Sequence, residues 1–209
     1  HFLNKTILVT GAAGSIGSGL AAALLQQNVK KLILLDQAES ALFDLEQRFL
    51  KSESTVQIEY VIGDICDEQR MDRLFALYQP EIVFHAAAYK HVPLMEANPA
   101  EAVRNNIGGS KRIAELAAKF KADQFIMIST DKAVNPTNVM GASKRMAEMY
   151  VQALSNQPDL PTKFITTRFG NVLGSNGSVI IRFKEQIEKG GPVTVTHPNI
   201  TRYFMTIPE

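Results

Sequence analysis

Near its amino terminus the chain reads GAAGSIG at residues 11–17, between a predicted strand at Thr6–Val9 and a predicted helix at Gly14–Gln27. Glycines at such a junction let the backbone turn sharply and approach a pyrophosphate that a side chain would obstruct. The helix would then offer its unbonded N–H groups to the anion. The alternative is a glycine-rich turn without a ligand, but the strand before it and the helix after it favour a dinucleotide site.

The alternation of strand and helix continues along the chain. Further strands are predicted at Lys31–Leu35, Val56–Val61, Ile82–Phe84, Phe125–Ile128 and Lys163–Thr167, and helices at Ala38–Leu50, Asp67–Tyr78, Ala100–Phe120 and Val139–Leu154. The strands are continuous apolar runs, which is typical of a parallel sheet covered on both faces. We therefore predict an α/β fold with a doubly wound parallel sheet of the Rossmann type. A (β/α)8 barrel would need about 250 residues and more strand–helix units.

The pattern changes after residue 167. A segment rich in Gly, Asn and Ser at Gly170–Gly177 precedes a predicted helix at Ser178–Lys189 and short predicted strands at Val193–Val195 and Tyr203–Met205. We interpret residues 1–167 as a dinucleotide-binding domain that carries the catalytic residues, and residues 168–209 as part of a small substrate-binding lobe. The last four residues resemble the start of a helix, so we expect further residues of this lobe beyond Glu209.

Composition excludes several classes of function. A formal net charge of +1 over 209 residues gives no basic footprint for nucleic acid and no polybasic membrane patch. The single cysteine, Cys66, cannot form an internal disulfide and suits a reducing compartment, so we expect a cytoplasmic location. No apolar run approaches the roughly 20 residues of a membrane helix, and no signal peptide is recognisable.

Residues at the ends of strands one to four are the predicted cofactor ligands. A carboxylate at Asp36 would accept hydrogen bonds from the adenosine ribose and repel a 2′-phosphate, which favours NAD over NADP. Asp64 and Ile65 would face the adenine, and the small Ala86 and Ala87 would let a flat cofactor lie against the backbone. The predicted cofactor-binding residues at these strand ends are Gly11, Ala13, Gly14, Ser15, Ile16, Gly17, Asp36, Asp64, Ile65, Ala86 and Ala87.

Three further segments resemble a known family: Ala88–Glu96, Ser129–Asn138 and Arg168–Val179. Together with the glycine motif, a Thr after strand five and Lys144 four residues after Met140, they are similar to extended short-chain dehydrogenases/reductases. Within that family they resemble the nucleotide-sugar 4,6-dehydratases of polysaccharide biosynthesis, which include UDP-N-acetylglucosamine 4,6-dehydratases. The resemblance spans essentially the whole chain. Longer members carry an amino-terminal membrane region, so we expect this segment to be the cytoplasmic part of a membrane-anchored protein.

The resemblance implies a reaction and a role for each catalytic residue. Hydride leaves sugar C4 for NAD+, the C5 proton and the C6 hydroxyl are then lost, and hydride returns to C6. Asp131 would be the acid at the C6 oxygen, Lys132 the base at C5, and Thr130 a hydrogen-bond donor to the C4 oxygen. Lys144 would bind the nicotinamide ribose. Adjacent opposite charges stabilise the ionised forms of both groups, so either burial must raise the pKa of Asp131 or the pair must separate on binding if Asp131 is to act as an acid.

One position departs from the wider family, which has Tyr where this chain has Met140. A thioether is only a weak hydrogen-bond acceptor, so we place Met140 in the active site as a packing residue beside the nicotinamide. The acceptor of the C4 hydroxyl proton is left open, with Asp131 as the first candidate. The resemblance also implies a UDP-sugar site, and we assign to it Lys90, His91, Asn106, Asn171, Ser178 and Arg202.

Two other functions stay open at this point. A nucleotide-sugar 4-epimerase shares the hydride step, although its members normally need the Tyr that Met140 replaces. A catalytically silent NAD-binding module would explain the loss of the Tyr but not the retention of Thr130, Asp131, Lys132 and Lys144. The resemblance also implies a homo-oligomer, with the two long helices at residues 100–120 and 139–154 as its seam.

Overall fold

A computed structural model describes residues 2–52, 54–175, 178–195, 201 and 203–207. Six parallel strands form one sheet in the order β3-β2-β1-β4-β5-β6. The strands are β1 (Thr6–Thr10), β2 (Lys31–Asp36), β3 (Gln57–Ile62), β4 (Ile82–His85), β5 (Gln124–Thr130) and β6 (Lys163–Phe169). The predicted doubly wound parallel sheet is confirmed. Because all six strands are parallel, their carboxyl ends meet at one edge of the sheet. The order in which strands are added to the sheet reverses between β1 and β4.

Helices flank the sheet and connect its strands. They are α1 (Ser15–Leu24), α2 (Glu39–Phe49), α3 (Glu68–Tyr78), α4 (Val92–Ala97), α5 (Pro99–Ala102), α6 (Ser110–Lys119), α7 (Val139–Ser155) and α8 (Val179–Glu188). A π-helical segment, Val103–Gly109, joins α5 to α6, and a 3₁₀ turn, Asp131–Ala133, follows β5. Two short strands, β7 (Asn171–Val172) and β8 (Phe204–Met205), pair in parallel outside the main sheet.

The core lies on both faces of the sheet. Alternate residues of β1 divide between the faces: Leu8 packs in a cluster with side chains of α3, α6 and α7, whereas Ile7 and Val9 pack with α1 and α2. Each such side chain contributes about 1.5–3 kcal/mol when fully buried. This two-sided burial explains why the strands are apolar throughout rather than alternating.

The structure differs from the predictions in several places. The predicted helix Ala100–Phe120 is interrupted by the π-helical segment, whose wider turn buries both Asn105 and Asn106. Helix α4 was not predicted, and Val193–Val195 is not a strand. Among the described residues, no helix combines the length and apolar character needed to span a membrane.

Candidate active site

The glycine loop after β1 is closely packed against its neighbours. Gly11 has a φ of +67°, and a Cβ on it would lie 2.6 Å from the backbone nitrogen of Ala87. A Cβ on Gly17 would lie 2.1 Å from the carbonyl oxygen of Gly11. Only glycine fits at these two positions, because backbone atoms occupy the space of a side chain. The loop is therefore held against the end of β4, and helix α1 begins directly after it.

Asp36, at the end of β2, fixes this loop through hydrogen bonds. Its carboxylate accepts from the backbone N–H of Ala13 at 2.9 Å and from that of Ala38 at 3.0 Å. Each carboxylate oxygen has two lone pairs, so both oxygens can still accept a bond from a ligand hydroxyl. Asp36 thus joins the glycine loop to the position where a ribose is expected.

A cavity of about 260 Å³ opens between the glycine loop and the ends of β2, β3 and β4. It is lined by Gly11, Ala13, Gly14, Leu35, Asp36, Gln37, Ala38, Ala41, Gly63, Asp64, Ile65, Ala86, Ala87, Ala88, Tyr89 and Asn105. The predicted cofactor residues of the glycine loop and strand ends lie in this lining, while Ser15, Ile16 and Gly17 form the first turn of α1 beside it. The start of α1 suits an anion, and the carboxylate of Asp36 suits a ligand hydroxyl.

Asn105 lines this cavity and was not predicted. Its side chain is 6% exposed, and its Oδ1 has no hydrogen-bond partner within the described part of the chain. A buried amide oxygen without a partner is costly, by about 1–3 kcal/mol, and a bound donor would remove that cost. Two consecutive Asn residues within a predicted helix were the available signal.

Asn106 behaves differently from its neighbour. Its Oδ1 accepts from the N–H of Tyr89 at 2.8 Å, and its Nδ2 donates to the carbonyl of Tyr89 at 3.0 Å and to Ser143 Oγ at 3.0 Å. The amide is therefore engaged within the protein on both sides. It positions the loop after β4, and the substrate contact expected of it stays a prediction.

The predicted acid–base pair, Asp131 and Lys132, lies at the carboxyl end of β5. Lys132 Nζ donates to Asp131 Oδ1 at 2.9 Å and to Asn171 Oδ1 at 2.9 Å, and Thr130 Oγ1 donates to Asp131 Oδ1 at 2.9 Å. Both charged side chains are partly buried. The three predicted catalytic residues of this segment thus lie together with Asn171, a predicted substrate contact. Asn171 reaches the pair from β7. The group lies on the same sheet edge as the cavity, beyond the end of the strand next to β4.

The protonation of Asp131 is opposite to the expectation. Burial raises its pKa, but hydrogen bonds from Lys132 and Thr130 outweigh burial and hold the pKa below its ordinary value. In this arrangement Asp131 is a carboxylate. To act as an acid, Asp131 would first have to take up a proton.

Lys144 and His85 are buried near this edge. Lys144 is 4% exposed, and its Nζ donates to the carbonyl of Ile128 in β5 at 2.8 Å. Burial lowers the pKa of Lys144 to about 8, although the negative charge of Glu148 acts in the opposite direction. His85 is held between Thr10 Oγ1 at 2.8 Å and Ser110 Oγ at 2.9 Å; burial and the charge of Lys144 lower its pKa to about 3, so it is neutral.

Met140 is packed between helices. It is 3% exposed and contacts Met95 and Ala102, between α7 and the helices α4 and α5. It is not part of the lining of the cavity at the glycine loop. Its expected place beside the nicotinamide stays a prediction.

The remaining predicted substrate residues are spread around the site. Lys90 and His91 are exposed in the segment between β4 and α4. Ser178 is the N-cap residue of α8, and its Oγ is buried without a hydrogen-bond partner among the described residues. Arg202 lies outside the described residues, as does His197, so the structure places neither of them.

Comparison with known proteins gives a family and several relatives. The family model described as "Polysaccharide biosynthesis protein" matches residues 7–209. The chain is 55% identical over 208 residues to the capsular polysaccharide biosynthesis protein CapD of Staphylococcus aureus, covering 99% of this chain and 34% of that protein. It is 36% identical to the UDP-glucose 4-epimerase of Rickettsia canadensis, covering 99% of this chain and 60% of that protein. The chain thus spans about a third to three fifths of the length of these relatives.

Solved structures share the fold. The X-ray structure of Pen from Bacillus thuringiensis superposes with a TM-score of 0.92 at 36% identity, covering 99% of this chain and 65% of that one. DesIV from Streptomyces venezuelae, a dTDP-glucose 4,6-dehydratase with NAD and TYD bound, superposes with a TM-score of 0.82 at 21% identity, covering 97% and 68%. At that lower identity the likeness concerns the fold alone.

Proposed function

The chain belongs to the polysaccharide biosynthesis protein family, and on that premise we propose that it is an NAD-dependent 4,6-dehydratase of a UDP-sugar, with UDP-N-acetylglucosamine as the substrate. The observation that carries this proposal is the Asp131–Lys132 pair, held by Thr130 and Asn171 at the sheet edge that also forms the dinucleotide cavity. A 4-epimerase returns hydride to C4 and removes no C5 proton, so it has no need of a base such as Lys132 beside C5.

The lining of the cavity fits a dinucleotide. Asp36 would accept bonds from the adenosine ribose, Asp64 and Ile65 would meet the adenine, and the start of α1 would face the pyrophosphate. The orphaned Oδ1 of Asn105 would accept a hydrogen bond from the cofactor, and Lys144 would hold the nicotinamide ribose. When bound, NAD+ accepts hydride from sugar C4 and returns it at C6.

The protons balance if Asp131 acts first as a base. As a carboxylate it takes the proton of the C4 hydroxyl, while the hydroxyl of Thr130 orients the C4 oxygen. Asp131 is then the neutral acid that protonates the C6 oxygen, which leaves as water. Neutral Lys132 takes the C5 proton in the same elimination and later returns a proton to C5, which restores both groups.

This cycle requires the ion pair of the free protein to lose one proton from Lys132 when the substrate binds. Asn171 accepts from Lys132 Nζ at 2.9 Å and would keep the amine aimed at C5. The proposal accounts for the absence of a Tyr at position 140, because a carboxylate performs the first proton transfer.

The substrate would lie across the ends of β5 and β7. Ser178 at the start of α8 offers a buried hydroxyl and a helix N-terminus to the diphosphate. Asn171, Lys90, His91 and Arg202 are proposed as further contacts to the nucleotide or the sugar. The Lys90 and Arg202 side chains supply positive charge suited to phosphate oxygens.

A 4-epimerase is the second candidate, because the Rickettsia canadensis relative bears that name at 36% identity. The test is to incubate the full-length protein with UDP-N-acetylglucosamine and NAD+ in deuterated water and to identify the product by NMR. A dehydratase yields a 4-keto-6-deoxy sugar labelled at C5. Formation of unlabelled UDP-N-acetylgalactosamine would establish the epimerase instead, and no turnover with intact NAD+ binding would indicate a silent module.

A further inference from the structure

Glu148 is a buried carboxylate to which the proposed reaction gives no role. It lies on α7, one helical turn after Lys144, and its side chain is 3% exposed. Its two oxygens accept from Ser129 Oγ at 2.6 Å, from Arg145 Nη1 at 3.1 Å, and from Arg168 through Nε at 2.8 Å and also through Nη2. Burial raises its pKa, but these donors, Arg168 foremost, hold the pKa below its ordinary value, so the group is ionised.

Two of the donors to Glu148 lie shortly before residues of the proposed acid–base site in the sequence. Ser129 immediately precedes Thr130 on β5. Arg168 is the residue that faces Ser129 across the β5–β6 pairing, and it lies three residues before Asn171. The Glu148 carboxylate therefore joins the end of β5, which leads to Asp131 and Lys132, to the end of β6, which leads to Asn171.

Glu148 also faces Lys144 electrostatically. The ammonium of Lys144 is bonded to a backbone carbonyl rather than to a carboxylate. Glu148, on the same helix, attracts the charge of Lys144. His85, on β4, also interacts with Lys144 but is neutral. Arg145 and Arg168 form ion pairs with Glu148. Asp131 and Lys132 form an ion pair with each other at the end of β5. Glu148 is thus the counter-charge that the surroundings of Lys144 supply.

We infer that Glu148 is a positioning residue: it aligns the ends of β5 and β6 so that Lys132 meets Asn171, and it keeps Lys144 cationic. This inference rests on the proposed function for its effect on turnover, but its effect on Lys144 can be measured without any substrate. A simple structural pair would act otherwise: Glu148 is buried and Arg168 is 38% exposed, so replacing both by apolar residues of similar size should then leave turnover unchanged.

The test compares Glu148→Gln with the double variant Glu148→Met/Arg168→Met in the full-length protein. Misplacement of a reacting group by about 1 Å costs about a hundredfold in rate, so kcat should fall ten- to a hundredfold in both variants with KM within about threefold. Lys144, observed by NMR in protein with ¹³C-labelled lysine and assigned with Lys144→Arg, should titrate at lower pH in both. The double variant should melt close to the wild type and still have the low kcat.

Glu115→Gln is the matched control, because Glu115 is a half-exposed carboxylate on α6 bonded to Tyr150. It should change neither kcat nor the titration of Lys144. Wild-type turnover by the double variant, or an unmoved Lys144 titration, would overturn the inference. Should Glu148→Gln fail to fold, the double variant makes both comparisons. If the wild type forms no product, the proposed function fails, and the Lys144 titration alone decides the role of Glu148.

Discussion

Replacing Gly17 by Ala should damage the cofactor site more than any exposed mutation of similar size. The added Cβ would lie 2.1 Å from the carbonyl oxygen of Gly11 and 2.8 Å from Ala12 Cα. Ordinary contact begins at 3.4 Å, so helix α1 and the glycine loop must separate by about 1.3 Å, the difference between the two distances. Both clashing atoms belong to the backbone and cannot rotate away.

Overpacking of this kind typically costs about 1–3 kcal/mol. A chain of this size loses about 2–4 °C in Tm per kcal/mol, so the melting temperature should fall by about 2–12 °C. The same displacement moves the start of α1 away from a pyrophosphate, and we expect the Kd for NAD+ to rise at least tenfold, which corresponds to about 1.4 kcal/mol.

Two other glycines give a graded series for this test. A Cβ on Gly14 would lie 3.3 Å from the Gly11 oxygen, and one on Gly108 would lie 3.7 Å from the carbonyl of Val103. Gly14→Ala should therefore show a smaller loss, and Gly108→Ala none. Isothermal titration calorimetry with NAD+ and thermal unfolding measure the two effects. If Gly17→Ala binds NAD+ as tightly as Gly108→Ala does, the glycine loop is not the dinucleotide site and the reasoning is refuted.

Three further predictions concern buried polar groups. Asn105→Leu should weaken NAD+ binding about tenfold in calorimetry yet raise the free energy of unfolding by about 1 kcal/mol, because it removes an amide oxygen that is buried without a partner; reduced stability with unchanged affinity would contradict this role. The pKa of Lys144, lowered to about 8, should make NAD+ affinity fall as pH rises above 8, whereas Lys144→Met should bind weakly with no such dependence; a wild-type profile that is flat from pH 7 to 10 would exclude the role. The pKa of His85 is about 3 in the fold against 6.5 ordinarily, so between those values the unfolded chain binds more protons and the free energy of unfolding falls as pH falls, by about 5 kcal/mol at most. Denaturant titrations of His85→Gln should show a shallower dependence over that range, and equal slopes for variant and wild type would refute the prediction.

The sheet and the glycine loop were predictable because they depend on local patterns. Buried parallel strands need continuous apolar runs, and a backbone that approaches a phosphate needs glycine, so both leave a signal in short windows. The carboxylate of Asp36 could be placed for the same reason: it ends a strand whose position was already fixed. The resemblance to known dehydratases extended this to Asp131 and Lys132.

Features that depend on tertiary contacts were not predictable in the same way. Nothing in the apolar spacing of residues 100–120 distinguishes a regular helix from one with a π-helical segment, yet that segment decides which Asn faces the cavity and which fixes Tyr89. The pairing of β7 with β8 joins residues more than thirty positions apart, and each strand is only two residues long. Glu148 resembled an ordinary polar position of an amphipathic helix, because its donors come from two different strands.

The proposed function depends most directly on the exchange of the proton at sugar C5 by Lys132. In deuterated water, mass spectrometry of the sugar product should show one deuterium at C5 for the wild type and for Lys119→Met, which removes an exposed lysine paired with Asp72 on the surface. Lys132→Met should bind NAD+ normally but incorporate C5 deuterium at least a hundredfold more slowly, the usual scale of a lost general base. Undiminished C5 labelling by Lys132→Met would contradict the account.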